Sequence, residues 1–149
     1  MNLNLDFTQR VVIETDKMDW SPSPSPTVFR KRLARADAES GHATSVVKYE
    51  PGATFNAHGH PKGEEIFVLE GVFSDEHGDY PAGTYIRNPE GSTHTPFSTN
   101  GCTLLVKLCQ FQATDTAQLR IDTNTTPWRP GIGGLEVMPL HNHIYENTA

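Results

Sequence analysis

The sequence predicts an all-β fold, a sandwich or barrel, on three observations. Short runs rich in Val, Ile, Phe, Thr and Tyr recur along the chain. Eleven prolines and 12 glycines interrupt them. No long segment keeps the 3.6-residue apolar period of an amphipathic helix. At 149 residues the chain fits one domain whose core needs no disulfide staples.

Strands are expected at 11–15, 28–34, 43–49, 54–60, 65–70, 72–75, 83–88, 92–98 and 102–111. The first is the β-branched run VVIET. The stretch SPSPSP at 21–26 separates it from the second; its alternating prolines remove backbone donors and favour an extended arm, either a loose linker or laid over the barrel or a partner. The run Ile66-Phe67-Val68-Leu69 is apolar on both faces, which predicts an interior strand covered on both sides. Gly71, Glu76-His77-Gly78-Asp79 and Pro81-Ala82-Gly83 are read as the turns around it. Pro89 and Gly91 turn the chain into 92–98, and the last strand carries Cys102 and Cys109. An offset of seven places the two thiols on opposite faces, which speaks for packing rather than a disulfide.

Eighteen acidic and 12 basic residues give a net charge of −6, which repels phosphate backbones and anionic lipid, so neither nucleic acid nor membrane is expected as a partner. No apolar stretch approaches the roughly 20 residues of a membrane helix. The opening MNLNLDFTQR has no charged leader followed by an apolar run, and the cysteines form neither a C-x-x-C pair nor a framework; a cytoplasmic location is expected. A small neutral or metal-bound ligand suits this charge best.

The chemistry concentrates in HGHPKGEE, residues 58–65. Alternate side chains of a strand share a face, so His58 and His60 converge while Gly59 turns away. Pro61-Lys62-Gly63 turns the chain, and Glu64 or Glu65 opens the next strand beside the pair; strand parity across the turn does not choose between them. NPEGSTHTPF then presents His94 beside a Pro-Gly turn. Three imidazoles and a carboxylate suit zinc, iron, manganese, nickel or cobalt, since nitrogen and oxygen donors of intermediate hardness bind these ions.

The frame around these residues resembles the cupin superfamily. Gly52, five residues, His58, one residue, His60, three residues, Glu64, six residues and Gly71 resemble its first motif; Gly83, five residues, Pro89, one residue, Gly91, two residues and His94 resemble its second. The usual Asn four places after the second-motif histidine is Ser98 here. The resemblance selects Glu64 over Glu65 and implies an antiparallel jelly-roll barrel, often a homodimer, with the metal near one mouth. Within the superfamily, EEIFVLEGVFSDEHGDYPAGTYIRNPEGSTHTPF is most similar to the ChrR-like group, named for an anti-sigma factor. By that resemblance His58, His60, Glu64 and His94 bind a divalent ion, zinc first, with iron, nickel or manganese as alternatives. ChrR carries a helical, zinc-binding, sigma-capturing domain ahead of its cupin; about forty residues without a Cys cluster stand there in this chain, so sigma-factor binding is not expected.

The domain reading is a first-strand arm over 1–40, a barrel core over 41–115 and a segment over 116–149 that repeats the arm. IETDKMDWSP at 13–22 and IDTNTTPWRP at 121–130 share Ile, an acid, Thr, Asp or Asn, Trp and Pro at one offset, which makes Trp20 and Trp128 packing anchors. His141-Asn142-His143 has H-x-H spacing without the framing Gly or Glu, so it reads as a packing or surface feature, as do His42 and His77. Tyr85, Arg87, Phe97 and Lys107 either line the pocket or shape the barrel. Two functions are open: a metal-dependent dioxygenase or hydrolase acting on a small carbonyl-containing molecule, and a zinc-bound sensor without catalysis.

Overall fold

The computed structural model describes residues 1–37 and 41–149, so the expected boundary at residue 40 lies outside the described residues. Strands β1 (Ser21–Pro22), β2 (Val28–Arg35), β3 (Ala43–Tyr49), β4 (Ala53–Thr54), β5 (His58–Gly59), β6 (Glu64–Asp75), β7 (Gly78–Pro81), β8 (Thr84–Asn88), β9 (Thr93–His94), β10 (Phe97–Ser98), β11 (Cys102–Leu108) and β12 (Leu119–Asp122) form the body. Two hairpins follow, β13 (Arg129–Pro130) with β14 (Glu136–Val137) and β15 (His141–His143) with β16 (Glu146–Thr148). All pairings are antiparallel, in the order β1-β2-β3-β11-β6-β10-β4, with β8 bridging β6 to β12. The all-β antiparallel expectation therefore stands. No helix among the described residues is long and apolar enough to cross a membrane.

Strand β6 changes partners along its length. Its first residues pair with β11 and β8, its last with β7 and β10. Where the sequence reading put a turn at Gly71, the chain instead bulges: Thr103 faces Glu70 and Leu104 faces Val68, leaving Leu69 without a partner. Gly71 sits at φ 72°, where a Cβ would stand 2.2 Å from the carbonyl oxygen of Gly101. The bulge lets one strand bend around the core.

That core is one cluster: Val28, Tyr49, Ala53, Ile66, Val68, Phe73, Tyr80, Ile86, Cys102, Leu104 and Val106. Ile66 and Val68 point into it, whereas Leu69 is 43% exposed, so the IFVL run is not covered on both faces as expected. The apolar outer position Phe67 faces a cleft against the C-terminal segment.

Four further expectations change. Residues 11–15 form no strand: no ladder partner runs beside them, Val12 stays exposed, and a 3-10 turn over Thr15–Lys17 follows. Both 54–60 and 92–98 break in the middle, at residues 55–57 and at Thr95-Pro96, because Pro96 has no N–H to give a ladder. The strand over 102–111 ends at Leu108, so parity says nothing about Cys109, which takes φ 60° beyond it and is half-buried while Cys102 is buried; both are free thiols. The SPSPSP arm is laid over the barrel: β1 pairs with β2, and the Ser25 hydroxyl donates to the Thr54 carbonyl.

Outside the barrel, Arg87 is wholly buried and donates to Glu65 at 2.9 Å, Glu146 at 2.9 Å and Asp115 at 2.8 Å. The Tyr85 hydroxyl also donates to Glu65, His141 lies 2.9 Å from Asp115, and the guanidinium stacks 3.9 Å from the Phe111 ring centre. Here the C-terminal hairpin β15–β16 is clasped to β6 and β8. Tyr85, Arg87 and Lys107 thus serve this outer face and not the barrel interior. The two repeated tryptophans differ: Trp20 lies under the ammonium groups of Lys31 and Lys48, whereas Trp128 is 61% exposed.

Candidate metal centre

The breaks in the two strands place the histidines. Strand β5 pairs with β9 through only two rungs, His58 to His94 and Gly59 to Thr93, which brings histidines from both motifs face to face. The tight turn at Lys62 (φ 56°) and Gly63 (φ 83°) then delivers Glu64 at the head of β6. The ligand atoms of His58, His60, Glu64 and His94 all lie within 4.8 Å of one another, the one such group among the described residues. His60 Nε2 is 3.1 Å and His94 Nε2 3.5 Å from Glu64 Oε2, and the Nε2 atoms of His58 and His94 are 3.3 Å apart.

Every imidazole is held from behind by its other nitrogen. His58 Nδ1 is 2.9 Å from the Asn56 carbonyl, to which it must donate. The Ser92 hydroxyl gives its proton to the Pro89 carbonyl, so it accepts from His60 Nδ1 at 2.8 Å. His94 Nδ1 lies 3.3 Å from Asp75 Oδ2. Each Nε2 therefore presents a lone pair toward the shared point. His60 Nε2 is buried and, despite its nearness to Glu64, makes no aligned hydrogen bond. An orphaned buried nitrogen facing a carboxylate and two more imidazole lone pairs fits a divalent ion bound by three nitrogens and one oxygen.

The electrostatics agree with that chemistry. Burial lowers the pKa of His94, with His60 and His58 adding to the shift against the opposing pull of Glu64, so the ring stays neutral to lower pH than usual. Burial resists ionisation of Glu64, but His60, His94 and the Asn88 amide, which donates to Oε2 at 3.0 Å, outweigh it and hold the carboxyl below its ordinary value.

Glu65 points the other way and is buried in the Arg87 clasp. Ser98, the departure from the family pattern, is buried and donates to the Val72 carbonyl, a backbone contact. Among the described residues His141 and His143 join no ligand group: His141 pairs with Asp115 and His143 lies 3.3 Å from the Thr114 hydroxyl. His77 is an exposed turn residue, as expected. Sequence reasoning missed Asp75, Asn88 and Ser92, which stand behind the candidate ligands: the register of β6 on β8 reveals Asn88, the turn closing onto Pro89 reveals Ser92, and the far end of β6 brings Asp75 to His94.

Inside the barrel a cavity of about 290 Å³ opens onto His58, His60 and Glu64. Its walls are mostly apolar: Val47, Phe55, Ile66, Phe73, Leu104 and Val106. Arg30 and the arm residues Ser23 and Pro24 also border it.

Residues 8–112 match the family described as the ChrR cupin-like domain. A comparison with curated protein sequences gives no significant match. Among solved structures, anti-sigma ChrR of Rhodobacter sphaeroides, in complex with SigE, superposes with a TM-score of 0.54 at 22% identity over 64% of this chain and 51% of that one. The chain thus spans about half the length of that relative. A putative acetylacetone dioxygenase of Methylibium petroleiphilum PM1 gives 0.60 at 19% identity, covering 74% of this chain and 86% of that one. KdgF from Halomonas sp. gives 0.54 at 21%, covering 67% and 92%. At these identities the superpositions establish a shared fold. With its sequence match over most of its length and a cupin barrel carrying both motif histidine sets, the chain belongs to the ChrR cupin-like domain family.

Proposed function

We propose that His58, His60, Glu64 and His94 bind one divalent ion and that the centre acts on a small, largely apolar, carbonyl-containing molecule held in the barrel. The observation that carries this reading is the cavity: an apolar chamber sharing three of the four ligand residues leaves room for a molecule beside the ion. Bound there, an ion would supply Lewis-acid polarisation of a carbonyl or, as iron, oxygen chemistry of the dioxygenase type. Hydrophobic walls would bind the substrate, exclude water and leave the metal-facing side as the polar anchor. Zinc, iron, nickel and manganese all suit the donor set.

A second reading, a zinc-bound regulatory centre without turnover, draws on the burial of His60, Glu64 and His94. We also infer a homodimer, supported by the exposed apolar side chains Trp128, Ile132, Leu135, Ile144 and Tyr145 on the C-terminal segment. In this reading 1–40 and 116–149 are arms on a 41–115 core, and sigma-factor binding plays no part.

Metal analysis of protein purified without added metal tests the function. One ion per chain is expected. Iron accompanied by oxygen uptake with acetylacetone as first probe supports the enzyme; stoichiometric zinc without uptake supports the regulatory centre. Protein that takes up none of these ions, even when they are supplied, overturns both.

The choice of carboxylate has its own test. Glu64→Gln keeps the shape but removes the charge that offsets a dication, and metal affinity should fall by about 10–100-fold or more. Glu65→Gln should leave metal content near that of the wild type while lowering the melting temperature, because it weakens the buried pair with Arg87. Chelator competition and melting curves on the two variants separate these outcomes; the reverse pattern would mean that the strand enters the barrel one residue out of register.

A further inference from the structure

We propose that Asp75 is the positioning residue of the centre, holding His94 with its Nε2 toward the other ligands, and that it is held in turn by a relay through Tyr80 to Arg120 on β12. The proposal rests on the assignment of His94 as a metal ligand. Strand β6 carries Glu64 at its first residue and Asp75 at its last, so one strand supplies both a ligand and the carboxylate behind another ligand. Asp75 is 6% exposed. Its Oδ1 accepts the backbone N–H of His77 at 2.8 Å and the Tyr80 hydroxyl at 3.1 Å, and its Oδ2 faces His94 Nδ1 at 3.3 Å.

The direction of the relay follows from donor inventory. Arg120 can only donate, and its Nε lies 2.7 Å from the Tyr80 hydroxyl oxygen. Tyr80 therefore accepts from Arg120 and has its own proton for Asp75. The Asp75 carboxylate can only accept, so His94 Nδ1 is the donor in its contact with Oδ2 and its Nε2 carries the lone pair. The guanidinium carbon of Arg120 also lies 5.6 Å from the Tyr80 ring centre, which keeps the pair together. A second grip comes from the next residue of the same hairpin: Glu76 accepts the backbone N–H of Thr95 at 2.8 Å, pinning the chain immediately after His94.

Asp75→Asn tests this directly. An amide offers one acceptor and one donor where the site demands acceptors on both sides, so either His94 or Tyr80 meets a donor head-on. In chelator competition with zinc, affinity should fall about 10–100-fold, the usual effect of losing a carboxylate behind a ligating histidine. Tyr80→Phe keeps the carboxylate and cuts the relay, so a smaller loss in the same direction is expected. Histidine nitrogen NMR of the metal-free protein supplies a readout that a purely structural role would not move: His94 should be the Nδ1–H tautomer in wild type and shift toward Nε2–H in Asp75→Asn. If that variant fails to fold, the zinc affinity of Tyr80→Phe and the wild-type tautomer decide: unchanged affinity, or an Nε2–H ring at His94 in the wild type, overturns the proposal. Unchanged zinc affinity together with an unchanged His94 tautomer in folded Asp75→Asn overturns it likewise. Should the wild-type protein bind no metal, the ligand assignment fails on its own, and the tautomer of the metal-free protein still decides whether Asp75 positions His94.

Discussion

Replacing His60 by Ala should strip the centre of most of its metal. Its Nε2 is buried, lies 3.1 Å from Glu64 and has no aligned hydrogen-bond partner, while Nδ1 is fixed by Ser92. Truncation removes one of three nitrogens and leaves a void beside the carboxylate, so affinity should drop by more than the roughly 10–100-fold that loss of an outer contact costs. The double variant His58→Ala/His60→Ala should hold essentially no ion, because His94 and Glu64 alone do not complete a tetrahedral set. His42→Ala, whose ring packs near Phe7 away from the ligand group, is the control and should keep its metal. Metal analysis with chelator competition reads all three; full occupancy in the double variant would sink the site.

The largest effect on stability is expected from Arg87→Met. Arg87 is wholly buried and pairs with Glu65, Asp115 and Glu146, so its removal leaves three carboxylates facing one another with only the more distant Lys107, 3.8 Å from Glu65, and the His141 ring on Asp115 beside them. Breaking a buried pair by deleting one partner costs about 3–5 kcal/mol. For a chain of this size that lowers the melting temperature by on the order of 10 °C. The penalty should also shrink in acid. Burial resists ionisation of Asp115 and of Glu146. At Asp115 the His141 and Ala117 hydrogen bonds and the Arg87 charge outweigh it; at Glu146 the Thr148 and Arg87 hydrogen bonds and the Arg87 charge do. Both folded pKa values are therefore depressed, and their stabilisation is complete above the unfolded carboxylate range and lost as pH falls through the lowered folded values. Without Arg87 its share of that contribution is gone at every pH, while the His141, Ala117 and Thr148 hydrogen bonds keep theirs, so the gap between variant and wild type should be wider near pH 7 than below about pH 4. A melting temperature within a degree or two of wild type at neutral pH would show that the clasp adds nothing.

The candidate ligand group was legible because both motifs keep their residues close along the chain: an H-x-H pair, a turn, a glutamate at fixed spacing, and one histidine after a Pro-Gly turn. Alternation along a strand also separated the roles of Glu64 and Glu65 once the spacing had selected the first. The outer clasp was illegible for the opposite reason. Its members at 65, 87, 115, 141 and 146 share no period, and only the β6–β8 register and the docking of the last hairpin bring them together. Strand breaks depend on the fold as well: Pro96 accepts the Phe55 N–H but has no N–H to return, so the ladder stops there. The repeated Trp segments show the limit of local similarity, since two segments sharing the same spaced residues place one ring under two lysines and leave the other largely in solvent.

A ladder of two rungs is too short to keep the barrel mouth shut by backbone bonding alone. His58 and His94, 36 residues apart, lie on opposite sides of that seam, so an ion shared between them would rivet it and close the loop between. Such a rivet would fix the width of the doorway to the chamber, and the bonds that hold the ion would then set the size of molecule admitted.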